Sequence, residues 1–190
     1  IENAFTAYPD AVYLQHEVSD LLVADTIKLA NENKIPVFYQ PCKPKGSLSA
    51  DLSGKIEVLI LDESQVYSYC GVEPKDMDKY LSAAMALSAR FNAGHIVFKT
   101  EDRGTYVYDG KYYDIICDYP SAGIDKAGAE EAFGAALTLQ YLENGGNIKR
   151  AITYANLIYA MCAGKRGEVD AIPTPVSYTH LRAHETEADL

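Results

Sequence analysis

The sequence predicts an α/β fold on a mostly parallel sheet, and three observations carry that prediction. Short apolar runs alternate with segments of helical periodicity, turn residues mark each change, and one Asp-Gly pair signals a hairpin where the alternation stops. Parallel neighbours need a crossover long enough to hold a helix, and the spacing of the runs supplies it.

Ala11–Gln15 (AVYLQ) is the first strand candidate. Ser19 and Asp20 stand as caps before Leu21–Asn33, where Leu22, Val23, Thr26, Ile27 and Ala30 recur at helical spacing. Pro36–Gln40 (PVFYQ) reads as the second strand, Pro41, Pro44, Gly46 and Ser47 as a loop, and Ile56–Leu61 (IEVLIL) as the third strand. Asp62–Tyr69 is polar and is given no element. Asp76–Phe91 carries Ala, Leu and Met at helical spacing and is punctuated by Gly94. His95–Lys99 reads as a buried strand, and Thr105–Tyr108 and Lys111–Ile116 flank Asp109–Gly110 as a hairpin. Two helices follow, Gly128–Leu142 and Ile148–Cys162, parted by the helix stop Asn144–Gly145–Gly146. Ligands bind beyond the carboxyl ends of the strands in such sheets. The loops after Gln15, Gln40, Leu61 and Lys99, with the turn opening the Gly128 helix, are therefore the expected functional rim.

The chain has 190 residues, 48% of them hydrophobic and 23% charged, enough apolar content for a packed core and too much for a disordered chain. Seventeen basic residues face 27 acidic ones, for a net charge of -10. The longest basic runs are the pairs Lys149–Arg150 and Lys165–Arg166, so no stripe suited to nucleic acid is present and no nucleic-acid partner is expected. Apolar runs such as Val58–Leu61 fall far short of the ~20 residues that cross a bilayer, and no membrane span is expected. Cys42, Cys70, Cys117 and Cys162 form no CxxC pair and no secretory leader opens the chain, which fits reduced thiols and a cytoplasmic location. The chain opens with Ile1, and its first residues read as the middle of a domain, so a fragment is expected.

The most informative segment is Asp125–Lys126–Ala127–Gly128–Ala129–Glu130–Glu131–Ala132–Phe133, a glycine-bearing turn running into an Ala-rich helix. Free N–H groups and the macrodipole make a helix N-terminus a phosphate site, while acidic residues in a first turn also serve as plain dipole stabilisers. In this order the segment resembles the Asp-Thr-Thr-Gly-Ala-Gly-Asp-Ala-Phe of the ribokinase-like sugar kinases, the PfkB family, with Asp125, Gly128, Ala129, Ala132 and Phe133 in register. The following GAALTLQYLENGGNIKRAITYANLIYAMCAGKRG and the closing Ile172–Thr174 also match. Upstream, Gln40–Pro41 stands at the family's Asp-Pro, Asp62–Glu63–Ser64–Gln65 at its Asn-x-x-Glu, and Lys99–Gly104 (KTEDRG) at its nucleotide loop Thr-Leu-Gly-x-x-Gly.

The resemblance runs from about Ala11 to Thr174 and implies a three-layer ribokinase-like α/β sandwich with its N-terminal part missing: the first strands, a Gly-Gly substrate motif and a small lid. It implies transfer of a phosphoryl group from ATP to a hydroxyl of a small-molecule sugar or nucleoside, with ATP and Mg²⁺ as cofactors and a homodimer open to the full-length protein. Carried over by position, Glu131 is the catalytic base. Gly128, Ala129 and Glu130 supply the anion hole for the phosphate. Lys99, Thr100, Gly104 and Asn156 are the nucleotide positions. Asp62 and Gln65 sit at the Mg²⁺-organising element, and Asp125 at a carboxylate associated with a monovalent cation.

Several positions depart from the family pattern. Glu131 adds a methylene to the family's Asp, and a shift of ~1 Å in a reacting group can cost ~100-fold in rate. Glu130 puts a carboxylate where a glycine would approach phosphate. Asp62 replaces Asn, Gln65 replaces Glu and so holds Mg²⁺ less well, Glu101 replaces a loop glycine, and Gln40 replaces Asp. Three readings follow: a kinase with weakened or lost activity, a non-catalytic nucleotide- or sugar-binding pseudokinase module, and a plain α/β scaffold.

Asn156 is open between an adenine neighbour and a solvated or capped polar group; Asp125 can be a cation ligand and a helix N-cap at once. Tyr106, Tyr108, Tyr112 and Tyr113 alternate in the hairpin and point to cross-strand aromatic pairing rather than a stacking site. Cys162, Met161 and His95 read as packing residues. His180 and His184, beside Glu185 and Glu187, have the spacing of metal ligands on one helical face. Ser177–Thr186 (SYTHLRAHET), however, resembles a translated vector tail. The expected organisation is therefore 1–175 as the C-terminal, nucleotide-side portion of a kinase domain and 176–190 as a non-native tail without packed structure.

Overall fold

The computed structural model describes residues 1–41, 52, 54–101, 103–167 and 169–174. The expected tail at 176–190, with His180 and His184, and the loop positions Pro44, Gly46 and Ser47 lie outside the described residues. The chain divides into two compact units, Ile1–Ile116 and Cys117–Leu190.

The first unit opens with a short helix that the sequence pattern did not announce, α1 (Glu2–Phe5), followed by β1 (Val12–Gln15), α2 (Asp20–Glu32) and β2 (Val37–Gln40). Ser19 caps α2, its hydroxyl accepting from the Leu22 N–H at 3.4 Å. The spacing of Val23, Ile27 and Ala30 turns one face of the helix to the core, where all three are fully buried. β3 (Ile56–Asp62), α3 (Glu63–Cys70), α4 (Met77–Phe91) and β4 (Ala93–Lys99) come next, then β5 (Thr105–Tyr108) and β6 (Tyr113–Ile116). Asp76 caps α4 by accepting from Lys79 N–H at 2.9 Å, and Tyr80, Ala83, Ala84, Leu87 and Phe91 form its buried face.

Strand order in the sheet is β1-β2-β3-β4-β5-β6. The first four strands are parallel and the last two are added antiparallel. This is the mostly parallel sheet the sequence predicts. β3 and β4 read as near-continuous apolar runs because they lie inside it; Val58, Leu59, Ile96, Val97 and Phe98 are fully buried. Each such side chain contributes about 1.5–3 kcal/mol by leaving water.

Two local expectations are corrected. The polar segment after β3 is not a loop: Asp62 and Gln65 build a capping box that starts α3, the Asp62 carboxylate accepting from backbone N–H groups while the Gln65 side-chain oxygen accepts from the Asp62 N–H. Gly94 does not stop α4. Asn92, left-handed at φ 49°, ends that helix, and Gly94 already lies within β4, where a Cβ would stand 3.3 Å from the Glu57 carbonyl oxygen.

The Asp-Gly turn forms as expected, with the Asp109 carboxylate accepting from the N–H groups of Lys111 and Tyr112 at 3.0 and 2.6 Å and Gly110 at φ +89°. Aromatic pairing across the hairpin is diagonal: Tyr106 stacks on Tyr113 at 6.0 Å between ring centroids, while Tyr113 stands opposite Tyr108. Tyr112 takes no part and carries the Lys111 ammonium over its ring at 4.7 Å. Tyr106 also stacks on Phe98 and Tyr80, and burial pushes its phenol pKa up.

The second unit is a helical pair, α5 (Ala129–Glu143) and α6 (Ile148–Ala163). Alanines at Ala129, Ala132, Ala136, Ala151 and Ala155 are buried and let the two backbones approach. Gly145 and Gly146, at φ +70° and +86°, make the turn between them, and Asn147 caps α6 by accepting from Arg150 N–H at 3.1 Å. Cys162 is buried here as expected, and burial raises its thiol pKa. Among the described residues no helix is long and apolar enough to cross a membrane.

Candidate functional site

The carboxyl rim of the sheet belongs to the first unit. Register aligns Gln15 with Gln40 and Asp62 with Lys99, so the four parallel strands bring their last residues out along one edge. Gln40 is engaged there, accepting from the Tyr13 hydroxyl. His16, the first residue beyond β1, is held from two sides: its Nε2 meets Asp20 Oδ1 at 2.8 Å and its Nδ1 meets the buried Tyr39 hydroxyl at 3.0 Å. The sequence reading singled out neither His16 nor Tyr39.

Lys99 ends β4 and is half-buried; Thr100 is 6% exposed. The nucleotide-loop positions close a self-satisfied turn. Thr100 N–H and hydroxyl both donate to the Gly104 carbonyl, at 3.0 and 2.6 Å, and the hydroxyl oxygen accepts from Arg103 N–H at 3.0 Å. Gly104 reaches φ +102°, a conformation that needs glycine. Glu63 ties this turn to the helices beneath it, accepting from the Glu101 N–H at 3.0 Å and from the Tyr80 hydroxyl. Its role was missed because α3 itself was missed. The signal was present as Asp-x-x-Gln, a capping-box spacing that places Glu63 at the first helical position.

Around this link lies a cavity of about 550 Å³, walled by Glu63 and Tyr67 of α3, Glu73 and Lys75 of the α3–α4 turn, and Glu101 and Arg103 of the β4–β5 loop. Its charge is mixed. Lys75 pairs with Glu73 at 2.9 Å, which raises the pKa of the lysine, and Arg103 lies over the Tyr80 ring at 5.9 Å. Of the two Mg²⁺-organising positions, Asp62 has one carboxylate oxygen committed to Ser64 N–H at 2.8 Å, and the Gln65 oxygen is committed to the cap at 3.3 Å.

The second unit holds the glycine turn. Gly128, at φ +73°, is the N-cap of α5, and Ala132 N–H donates to its carbonyl at 3.0 Å. Asp125 is therefore not the helix cap. Its carboxylate accepts from Ala127 N–H at 3.0 Å and from Gly167 N–H at 3.4 Å, pinning the turn to the segment after α6. These two N–H groups hold its pKa below the usual carboxylate range against a weaker desolvation, and the Arg166 charge adds to them. Ala129 N–H donates to Lys126 carbonyl at 3.1 Å, so an anion received at that amide must compete with a carbonyl. Ala129 is buried; Glu130 and Glu131 are exposed in the first turn, where the macrodipole favours their charge. Asn156 is not solvated: it is 1% exposed, and its amide is satisfied by donating to the Cys117 carbonyl at 3.2 Å.

A model of the pfkB family carbohydrate kinases matches residues 2–175. The chain belongs to this family. Among curated pfkB relatives, the bifunctional ribokinase/ribose-5-phosphate isomerase A of Fructilactobacillus sanfranciscensis is 24% identical over 165 residues, covering 87% of this chain and 30% of that protein. A probable fructokinase-5 of Arabidopsis thaliana is 28% identical over 86 residues, 42% of this chain and 26% of that protein. Among solved structures, Arabidopsis thaliana ribokinase complexed with ribose and ATP aligns with a TM-score of 0.85 at 18% identity, covering 95% of this chain and 58% of that one. Ribokinase from Giardia lamblia gives 0.81 at 17%, over 94% and 61%, and Escherichia coli phosphofructokinase-2 in complex with potassium gives 0.74 at 14%, over 96% and 60%. The fold is thus the α/β fold of the ribokinases, and the chain spans less than two thirds of the length of these pfkB relatives.

Proposed function

We propose that the chain supplies the nucleotide-side part of an ATP-dependent phosphotransferase acting on a hydroxyl of a sugar or nucleoside, with Glu131 as the base. The observation that carries this reading is the α5 entrance: an exposed Glu131 carboxylate in the first helical turn, directly after a left-handed Gly128, on a turn that Asp125 pins in place. A carboxylate held there can accept the proton of an attacking hydroxyl, and the positive end of the helix favours the phosphate it attacks. That a related ribokinase has been solved with ribose and ATP supports the substrate pair.

Mg²⁺ carried in with the nucleotide would neutralise charge on the phosphates. Asp62 would hold it through a metal-bound water with the carboxylate lone pairs that its helix-cap bonds leave, whereas the Gln65 oxygen serves that cap. Asp125 accepts one N–H on each oxygen and keeps lone pairs that could hold a monovalent cation, and no step is assigned to such an ion.

A second reading, nucleotide or sugar binding without turnover, is favoured by the Ala129 amide being taken by the Lys126 carbonyl and by the Glu130 carboxylate beside it. ATP consumption by the full-length protein with a panel of sugars and nucleosides separates the two. Under the first reading Glu131→Gln loses about 100-fold or more in kcat, in the range of general-base catalysis, with the KM for ATP little changed. Turnover that survives Glu131→Gln removes the base assignment. ATP binding that stays without turnover even on combining Glu130→Gly with Glu131→Asp establishes the second reading, whereas turnover gained with that pair supports a decayed kinase.

A further inference from the structure

Glu63 opens α3 and is half-buried, yet its two carboxylate oxygens serve other elements. Oε1 accepts from the Tyr80 hydroxyl of α4, and Oε2 accepts from the Glu101 N–H of the β4–β5 loop at 3.0 Å. One side chain thus joins three elements. It does so from a position that the family's Asn-x-x-Glu leaves open, since Glu63 is the residue after Asp62 in Asp62–Glu63–Ser64–Gln65.

The Tyr80 side of this bridge is rigid. Tyr80 is 1% exposed, its ring stacks on Tyr106 at 5.2 Å between centroids and lies tilted against Phe98 at 6.3 Å, so its hydroxyl is a fixed donor. Anchoring Oε1 at that point sets where Oε2 stands. A bond from a backbone N–H to a carboxylate is charge-assisted and about twice as strong as a neutral one. Pairing of Lys99 with Thr105 fixes the base of the β4–β5 loop, and the bonds between Thr100, Arg103 and Gly104 close it, but none of these reaches outside the hairpin. The bond to Glu63 does, and Arg103 over the Tyr80 ring rests the loop on α4 at a second point.

We propose that Glu63 is a positioning residue for the nucleotide: it holds the β4–β5 loop in the shape that receives ATP without itself touching the ligand. The role rests on the reading of Lys99, Thr100 and Gly104 as nucleotide positions. A loop that adopts its binding shape for part of the time binds more weakly by that fraction, so a tie that keeps it in place raises affinity with no contact of its own.

The test combines calorimetric titration of ATP with Mg²⁺ into the full-length protein and amide hydrogen exchange of the same protein without ligand. Glu63→Ala removes both bonds. It is expected to speed exchange of the Glu101 amide at least tenfold while β3 and β4 keep their protection, and to weaken ATP binding about tenfold, the scale of one hydrogen bond to a charged group. Glu63→Gln keeps a carbonyl oxygen for the Glu101 N–H and is expected to restore most of the affinity, which loss of α3 structure would not allow. Tyr80→Phe keeps the ring stack, removes the anchor of Oε1 and is expected to weaken ATP binding in the same direction, so the role stays testable if Glu63→Ala does not fold. The role is overturned if the Glu101 amide is no faster in Glu63→Ala, if Glu63→Ala binds ATP as tightly as the unaltered protein, or if it binds more tightly, which would make the carboxylate a competitor of the phosphates. A faster Glu101 amide with unchanged ATP affinity removes this role and leaves the nucleotide reading standing. If the unaltered protein binds no ATP, the nucleotide reading falls and this role falls with it.

Discussion

Asp125 shows how much one carboxylate can organise. It closes the turn before α5 through Ala127 N–H and reaches across to Gly167 N–H after α6, and these bonds depress its pKa. A carboxyl whose folded pKa lies below its unfolded value stabilises the fold above the unfolded value, about 3.9, and loses that contribution as the pH falls through the folded one. Asp125→Asn is therefore expected to lower the Tm at pH 7, with the gap to the unaltered chain closing below about pH 4, as thermal melts across that range would record. An equal gap at pH 7 and pH 3 would remove the charge from the explanation. Part of this was legible beforehand: the Asp-Lys-Ala-Gly run marked the turn. The bond to Gly167 was not, because it joins residues 42 positions apart.

At the scale of the element, α3 is the instructive case. Its own apolar pattern is weak, with Val66 and Tyr69 as its buried residues, so a search for hydrophobic periodicity passes over it. What starts the helix is the chemistry of its ends: the Asp62/Gln65 capping box and the left-handed Gly71 at φ +70°. The departures from Asn and Glu that weaken the metal reading of this motif thus leave its capping function intact. Asp62→Ala is expected to cost about 1 kcal/mol in urea-induced unfolding, the usual worth of an N-cap, with no change in the slope of the transition. Because α3 carries Glu63 toward the Glu101 amide, the same substitution is expected to loosen the β4–β5 loop. The helices with strong one-sided patterns, α2 and α4, and the strands β2 to β5 lay close to their expected places. Their hydrophobic spacing is set by the same burial that forms them.

Across the whole chain, protection should follow burial. In the first unit β3 and β4 are flanked by paired strands and contain fully buried residues, whereas β6 is an exposed-to-intermediate strand at the sheet margin. In the second, α6 buries ten residues and α5 seven. Amide hydrogen exchange is expected to be slowest in β3 and β4, faster by at least tenfold in β6, and slower in α6 than in α5. The order of strands and helices, and the rim they create, could be read from the sequence because both follow from local periodicity. Which rim side chains are already spoken for could not: Gln40, Thr100 and Asn156 all carry family-site positions, yet each is bonded within the protein by contacts that depend on tertiary packing.

The strand order carries one more consequence, for how the chain comes to be folded. Among the described residues each strand from β2 to β6 hydrogen-bonds to the strand that precedes it in the chain, so none of these five must wait for a distant partner still to be synthesised. Each addition closes only the loop through its own crossover or hairpin, which keeps the entropic cost of every step small. From β1 to the hairpin the sheet can therefore grow vectorially from the ribosome, with each newly emerged edge serving as the template for the next strand.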